Sequence, residues 1–208
     1  MKPRADEVVI RSSGKRGFSD LLAQVRACRL CEDHLPLEPR PILQLNPLAR
    51  ILIAGQAPGR KAHERGVPFD DPSGDRLRQW MGIDRELFYN AAKIAIVPMG
   101  LCFPGKRKGG DLPPRKECAP AWRQKVFAKL KDVELTLLVG SYAQAWHLKG
   151  KTKPTLTETV KAWRGYGPAF IPLPHPSWRN NAWIKKNPWF EEELLPHLRR
   201  RVSRIVRA

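Results

Sequence analysis

Four short apolar runs, each closed by a glycine or a proline, are the strongest pattern along the chain. They are "RILIAG" at 50–55, "IAIVPMG" at 94–100, "LTLLVG" at 135–140 and "FIPLP" at 170–174. Runs of this length between turn residues are typical of strands that are buried on both faces. The pattern therefore predicts four buried strands.

Segments with helical spacing of apolar residues separate these runs. They read "DRLRQWMGI", "PAWRQKVFAKLKD", "SYAQAWHLKG" and "TLTETVKAW". A first helix is predicted from an N-cap at Ser19 to about Cys31, and a last helix begins near Pro188. Strands that alternate with helices predict a single α/β domain, a three-layer α/β/α arrangement around a central four-stranded parallel sheet.

Length and composition agree with one domain. The chain has 208 residues, of which 42% are hydrophobic, enough for one sizeable core. We expect a polar N-terminal arm over residues 1–16 and the domain over 17–208. No apolar run approaches a membrane span, and the N-terminus lacks the apolar centre of a signal peptide. We therefore expect a cytoplasmic monomer without a membrane partner.

The charge is strongly positive, with 38 Lys and Arg against 20 Asp and Glu, a net charge of +18. The basic residues concentrate at 105–116, at 178–189 and in the tail 197–208. Basic groups gain affinity for a phosphate backbone by releasing counterions, so nucleic acid is the expected partner and a nucleoid-associated location follows. Basic surfaces that serve solubility, or ribosome or membrane association, remain alternatives.

Four polar segments directly follow the predicted strands. They are "GQAPG" at 55–59, "VPMGLC" at 97–102, "GSYAQ" at 140–144 and "PHPSWRNN" at 174–181. Ligands of open parallel sheets bind at the carboxyl ends of the strands. We therefore expect these four segments to converge on one cleft.

The four cysteines indicate a second kind of site. Cys28 and Cys31 form a C-x-x-C pair, a spacing shared by redox, zinc and iron–sulfur sites. Cys102 and Cys118 flank a basic loop rich in glycine and proline, which needs an anchor that thiolates on a metal or cluster would supply. Four unrelated core cysteines are the alternative.

Taken together, the motifs resemble the uracil-DNA glycosylase superfamily, and most closely its iron–sulfur branch. They are "CRLC", "GQAPG", "GVPF", the Cys102 and Cys118 pair, and "HPSWRNN", in that order across roughly residues 20–195. The last one is also similar to the HPSxRN motif of the single-strand-selective glycosylases. The resemblance implies that Cys28, Cys31, Cys102 and Cys118 hold one [4Fe–4S] cluster, with zinc, or no metal, as alternatives.

The same resemblance implies a site that removes a flipped, damaged base from DNA. His175 matches the histidine that hydrogen-bonds the base carbonyl where negative charge develops, and Phe69 matches the aromatic residue that stacks on the base. Gln56 occupies the position that holds the attacking water. The implied substrate-binding residues also include Gly55, Ala57, Pro58, Gly59 and Pro98, and the implied DNA-binding residues are Ser177, Arg179, Asn180, Lys106, Arg107 and Lys108.

Two positions depart from the iron–sulfur branch. Gln56 stands where that branch has an acid, and an amide can position water but cannot take its proton. Glu64, Asp70 and Asp71 are the nearby acids that would substitute for it. Pro98 stands where the branch has the asparagine that reads uracil, so the preferred base differs or is read by backbone groups around Met99 and Gly100.

Three functions are consistent with this sequence. The first is a monofunctional DNA glycosylase of base-excision repair, acting on uracil or another deaminated base. The second is a nucleic-acid-binding member of the same fold with weak or no turnover, which Gln56 and Pro98 favour. The third is an unrelated α/β enzyme for nucleotides or phosphate esters, although neither a P-loop nor a G-x-S-x-G motif occurs.

Overall fold

A computed structural model describes residues 17–108 and 110–207 of the chain. The predicted α/β domain is confirmed by a sheet of four parallel strands in the order β2-β1-β5-β6. The strands of this sheet are β1 (Ile51–Ala54), β2 (Ile94–Ile96), β5 (Leu135–Val139) and β6 (Phe170–Leu173). A separate antiparallel ladder pairs β3 (Lys106–Arg107) with β4 (Gly110–Asp111), within the segment that the sequence indicated as a basic loop.

Helices cover both faces of the sheet. They are α1 (17–26), α2 (Arg60–Arg65), α3 (Pro72–Met81), α4 (Arg85–Tyr89), α5 (Cys118–Phe127), α6 (Ser141–Leu148), α7 (Leu156–Lys161), α8 (Asn181–Lys186) and α9 (Leu195–Arg207). Short 3-10 turns occur at Glu32–His34, Trp163–Tyr166 and Trp178–Asn180, and a π-helical turn, Phe190–Leu194, leads into α9. None of the described helices is long and apolar enough to cross a membrane.

The alternation of side chains along β1 creates the predicted three layers. Ile51 and Ile53 are buried on one face, against residues of α3 and α9. Leu52 is buried on the other face, in a cluster that includes Val25 of α1 and Val126 of α5. Because successive residues of a strand point to opposite faces, a run of apolar residues is needed wherever both faces are covered.

The first helix differs from the sequence prediction. Ser19 lies inside α1 and does not cap it, and the helix ends at residue 26 rather than near Cys31. Val25 is the last residue of this helix that reaches the core. Beyond it the chain turns, so that Cys28 and Cys31 face a cavity instead of continuing the helix. The arm predicted over 1–16 lies outside the described residues.

The loop before α3 is built on an unusually close backbone contact. Phe69 has a φ of 54°, in the left-handed region, and a Cβ on Gly74 would lie 1.7 Å from the Phe69 carbonyl oxygen. Asp71 caps α3, because its Oδ1 accepts a hydrogen bond from the Gly74 N–H at 2.9 Å. Only glycine at position 74 therefore lets the Phe69 loop rest on the first turn of α3.

We predict that Gly74→Ala lowers the free energy of unfolding by roughly 1–3 kcal/mol, the usual cost of forcing extra atoms into a packed site. Backbone has to move to relieve the contact, so the Phe69 ring should also be displaced. Urea denaturation measures the stability. Gly165→Ala is the matched control, because a Cβ at Gly165 meets nothing within 4 Å. Equal stability of the two variants would contradict the prediction.

Candidate active site

A cavity of about 410 Å³ opens at the carboxyl edge of the sheet. Its size falls within the range of small-molecule sites in proteins. It is lined by the segments that follow β1, β2 and β6, together with the β3–β4 ladder. The sequence-predicted residues that line it are Gly55, Gln56, Ala57, Pro58, Gly59, Phe69, Pro98, Lys106, Arg107, His175, Ser177 and Arg179.

The segment "GSYAQ" after β5 is not among the residues that line this cavity. Gln144 is buried, and its side-chain amide donates to the carbonyl oxygens of Leu138 at 3.3 Å and Leu173 at 2.9 Å. The segment thus ties β5 to β6. Three of the four strand-end segments converge as expected, and the fourth has a structural role.

Two further residues predicted to bind DNA also lie outside the cavity lining. The side chain of Asn180 donates to the carbonyl oxygen of His175 at 2.6 Å, which closes the turn that carries the histidine. Lys108 is exposed between the two strands of the ladder. Asn180 therefore shapes the site through His175 in this structure.

Phe69 lines the cavity above the end of β1. A Cβ on Gly55 would lie 3.3 Å from the Phe69 Cζ, so the absence of a side chain at position 55 makes room for the ring. Phe88 contacts the ring edge-on, with centroids 6.4 Å apart and an interplanar angle of 88°. The ring is therefore held from two sides while it borders the cavity.

His175 follows β6 directly and lines the same cavity. Burial lowers the pKa of His175 below its usual value of 6.5, and the nearby Arg179 lowers it further, while Asp71 and Asp111 oppose the shift. The ring is therefore neutral at pH 7. A neutral imidazole keeps one N–H, which can donate a hydrogen bond to a ligand in the cavity.

The rim beside His175 carries an exposed aromatic residue. Trp178 is 69% exposed, and the guanidinium of Arg179 lies 5.3 Å from the centre of its ring. Arg76 of α3 fixes this loop by donating to the Ser177 carbonyl at 3.1 Å and to Asn181 Oδ1 at 2.8 Å. Sequence reasoning singled out Arg179 and missed Trp178, although a tryptophan in a loop next to a candidate catalytic residue was a usable signal.

The backbone that follows β2, at and beside the cavity, makes three hydrogen bonds. The Met99 N–H donates to the Gly55 carbonyl at 2.8 Å, and the Gly100 N–H donates to the Gln56 carbonyl at 2.9 Å. The Pro98 carbonyl accepts a hydrogen bond from Arg123 at 3.0 Å. The N–H groups of Met99 and Gly100, which are among the backbone groups expected to read a base, are therefore already hydrogen-bonded.

The acidic residues near the site fall into two groups. Glu64 pairs with Arg60 at 2.9 Å, and Asp70 pairs with Arg65 and Arg85 at 3.1 and 2.8 Å. Neither Glu64 nor Asp70 lines the cavity.

Asp71 and Asp111 do line the cavity. A Cβ on Gly59 would lie 3.8 Å from Asp71 Oδ2 and 3.5 Å from Asp111 Oδ2, so the two carboxylates approach the same point. Asp111 was missed at the sequence level, because it is a lone acid inside the basic stretch "GKRKGGD".

Positive charge exceeds negative charge around the cavity. Arg60 and Lys61, at the start of α2, line it together with the predicted Lys106, Arg107 and Arg179. Five cations thus face two carboxylates. This excess favours a polyanionic ligand at the rim.

The four cysteines line a second, small cavity next to α5. None of the four forms a disulfide within the described residues. Cys118 is the first residue of α5. The Trp122 indole N–H donates to Cys28 Sγ at 3.3 Å, and the Leu101 N–H donates to Cys118 Sγ at 3.3 Å. Two sulfurs therefore already accept N–H hydrogen bonds, as metal-bound thiolates commonly do.

Burial disfavours the thiolate form of these cysteines. Burial raises the pKa of Cys102 to about 12 and that of Cys118 to about 11. Burial also raises the pKa of Cys31, although the positive charge of Arg115 opposes the shift. Thiolates in this cavity therefore need a positively charged centre. Among residues 17–108 and 110–207, no group of three or more His, Cys, Asp or Glu side chains is placed to hold a single metal ion.

The sequence matches the family model of the uracil DNA glycosylase superfamily over residues 43–199. The match covers well over half of the chain and includes the four strands of the sheet and all the residues that line the cavity. The chain therefore belongs to the uracil DNA glycosylase superfamily. Members of this superfamily act on DNA and are usually DNA glycosylases.

We predict that the His175 ring titrates with a pKa below 6.5, because burial disfavours the imidazolium. Histidine ring resonances followed by NMR against pH measure the midpoint, and the His175→Gln variant identifies which signal disappears. Replacing Asp111 by Asn should lower the midpoint further, since a carboxylate that favours the charged ring is lost. A midpoint at or above 6.5 would contradict this description of the site.

Proposed function

We propose that the protein is a monofunctional DNA glycosylase that hydrolyses the N-glycosidic bond of uracil or another deaminated base. The observation that carries the proposal is the meeting of Phe69 and His175 in one cavity at the carboxyl edge of the sheet, under a rim rich in cations. Membership of the superfamily supports the reaction class.

The chemistry requires a base that has been rotated out of the stack and a partner for the charge that develops on it. A base in the cavity would stack on Phe69, which contributes ~1–3 kcal/mol per base in comparable contacts. The neutral His175 ring would donate its N–H to the base oxygen as the glycosidic bond breaks. A preorganised donor of this kind acts on the transition state more than on the bound substrate.

The rim of the cavity suits a DNA strand from which one base has been flipped out of the base stack. Lys61, Lys106 and Arg107 would contact phosphates, which positions the strand without reading its sequence. The exposed Trp178, with Arg179 stacked on it, would occupy the space that the flipped base leaves. Flipping would then be stabilised by the loop that also carries His175.

We predict that His175→Ala lowers the single-turnover rate of base excision by on the order of 10²–10³, the loss found when one oxyanion donor is removed. Oligonucleotides with uracil, hypoxanthine or xanthine, followed by alkaline cleavage at abasic sites, provide the assay. DNA affinity should hardly change, because the cationic rim remains. Full activity of His175→Ala on a base that the wild type removes would exclude this role.

Arg179→Ala is the informative companion variant in the same assay. Its loss should slow excision from duplexes more than from single strands, where no partner base has to be displaced. Equal effects on both substrates would place Arg179 outside the flipping step.

A second function is favoured by one specific contact. The Gln56 side chain donates to the Leu112 carbonyl at 3.0 Å, so the residue expected to hold the attacking water is engaged elsewhere. A protein that binds damaged DNA without turnover would have this property. Binding of the three substrates without any excision would establish that alternative.

We also propose that Cys28, Cys31, Cys102 and Cys118 hold one [4Fe–4S] cluster with a structural role. All four sulfurs border one cavity, and N–H donors already approach Cys28 and Cys118. A cluster is larger than a single ion, which suits a set of cysteines that is not placed around one metal position. The group would anchor the ladder segment between Cys102 and Cys118.

We predict that protein purified without oxygen contains about four iron atoms per chain and absorbs near ~400 nm, as thiolate-bound clusters do. Cys102→Ser should lose both signals and unfold at a lower temperature, because the loop loses its anchor. Metal analysis and thermal denaturation provide the measurements. About one zinc per chain, or no metal at all, would contradict the proposal.

A further inference from the structure

We propose that Asp111, carried by the β3–β4 ladder, is the catalytic carboxylate that holds and deprotonates the attacking water. The inference rests on the proposed glycosylase function. Deprotonation of the attacking water is the one step for which the residues that follow the strands supply no suitable group.

Hydrolysis requires a base that can accept the proton of water, and few groups in the cavity qualify. Gln56 has no proton-accepting charge, and its amide is fastened to the Leu112 carbonyl. His175 is committed to the departing base. Among the described residues that line the cavity, the carboxylates are those of Asp71 and Asp111.

Both carboxylates are close enough to the reacting region to act there. Each has an oxygen within 4 Å of the Cβ position of Gly59, in the loop that continues from Gly55 and Gln56. Each also favours the charged form of the His175 ring, which shows that both are electrostatically coupled to it. A water between this loop and His175 would therefore lie near a carboxylate.

Asp111 is better suited than Asp71 to take a proton. Asp71 Oδ1 accepts a hydrogen bond from the Gly74 N–H at 2.9 Å and caps α3, so its carboxylate is held by the helix end. This hydrogen bond occupies one carboxylate oxygen and fixes the orientation of the Asp71 side chain at the start of α3. No hydrogen bond or ion pair to the Asp111 side chain is present within residues 17–108 and 110–207.

The backbone around Asp111 is positioned by three contacts. The Gln56 side chain binds the carbonyl of Leu112, the residue that follows Asp111. The Leu112 N–H donates to the Gly105 carbonyl at 2.9 Å, and Lys106 pairs with Asp111 across the ladder. An acid at position 56 would repel the Leu112 carbonyl. The amide of Gln56 therefore helps to hold the backbone that carries Asp111.

In the proposed step, water replaces the base on the deoxyribose. The water oxygen forms a bond to the anomeric carbon of the deoxyribose as the bond from that carbon to the base nitrogen breaks. The electron pair of the broken bond stays on the base, whose oxygen accepts the hydrogen bond from His175. The water proton passes to the Asp111 carboxylate and then to solvent, and the base anion takes up one proton from solvent and leaves as the neutral base.

The experiment compares single-turnover excision by the full-length wild type, Asp111→Asn and Asp71→Asn on the base that the wild type removes. We expect Asp111→Asn to lose on the order of 10²-fold or more, the typical range for a general base. Asn is also a good helix cap, so Asp71→Asn should lose less than about 10-fold. Asp132→Asn, a distant exposed position, removes the same charge and should keep the wild-type rate.

A second measurement separates catalysis from structure. Asp111 is exposed to solvent, so added formate should reach the space left in Asp111→Ala and restore part of the rate, whereas chloride at equal ionic strength should not. Wild-type protein that excises no base would refute the proposed function itself. An active wild type with a fully active Asp111→Asn, with no rescue by formate, or with a larger loss in Asp71→Asn would overturn only the role of Asp111.

Discussion

The burial of the Arg123 guanidinium is the constraint that links the parts of this molecule. Arg123 is 2% exposed, and it donates to the carbonyls of Val97 and Pro98 and to His147 Nε2. Burial lowers the pKa of Arg123 to about 10, so the guanidinium stays charged at neutral pH. Burial and the charge of Arg123 lower the pKa of His147 to about 3, so the neutral ring can accept a hydrogen bond from Arg123. A buried charge is tolerable only when such acceptors surround it. Arg123 of α5 thereby connects the segment that follows β2 to α6.

This constraint connects the cysteine cavity to the floor of the candidate active site. Arg123 lies on the same helix as Cys118, and its carbonyl partner Pro98 lines the candidate active site. Helix α5 therefore contacts both cavities, through Cys118 at its first residue and through Arg123 about one and a half turns later. The Pro98 carbonyl is thus held by a hydrogen bond, whereas the groups proposed for the chemistry come from the loops that carry Phe69 and His175 and from the ladder that carries Asp111.

The sheet could be predicted from sequence because four buried strands require four apolar runs, and each run ends in a residue that turns the chain. The position of "PHPSWRNN" at the carboxyl edge followed from the same reasoning. The ladder that carries Asp111 could not be predicted, because two-residue strands such as Lys106–Arg107 have no periodicity. Individual long-range hydrogen bonds could not be predicted either. Those from Gln56 to Leu112 and from Gln144 to Leu173 join residues far apart in sequence, and no local pattern encodes them.

The contact between Trp122 and Cys28 would make this indole an optical reporter of the proposed cluster. The indole N–H lies 3.3 Å from the sulfur, so the ring borders the cysteine cavity. A chromophore assembled on those sulfurs would accept excitation energy from this indole, and its fluorescence would brighten when the chromophore is lost. The contribution of Trp122 to the emission would then follow the loading of the cavity in a dilute sample, without any added dye.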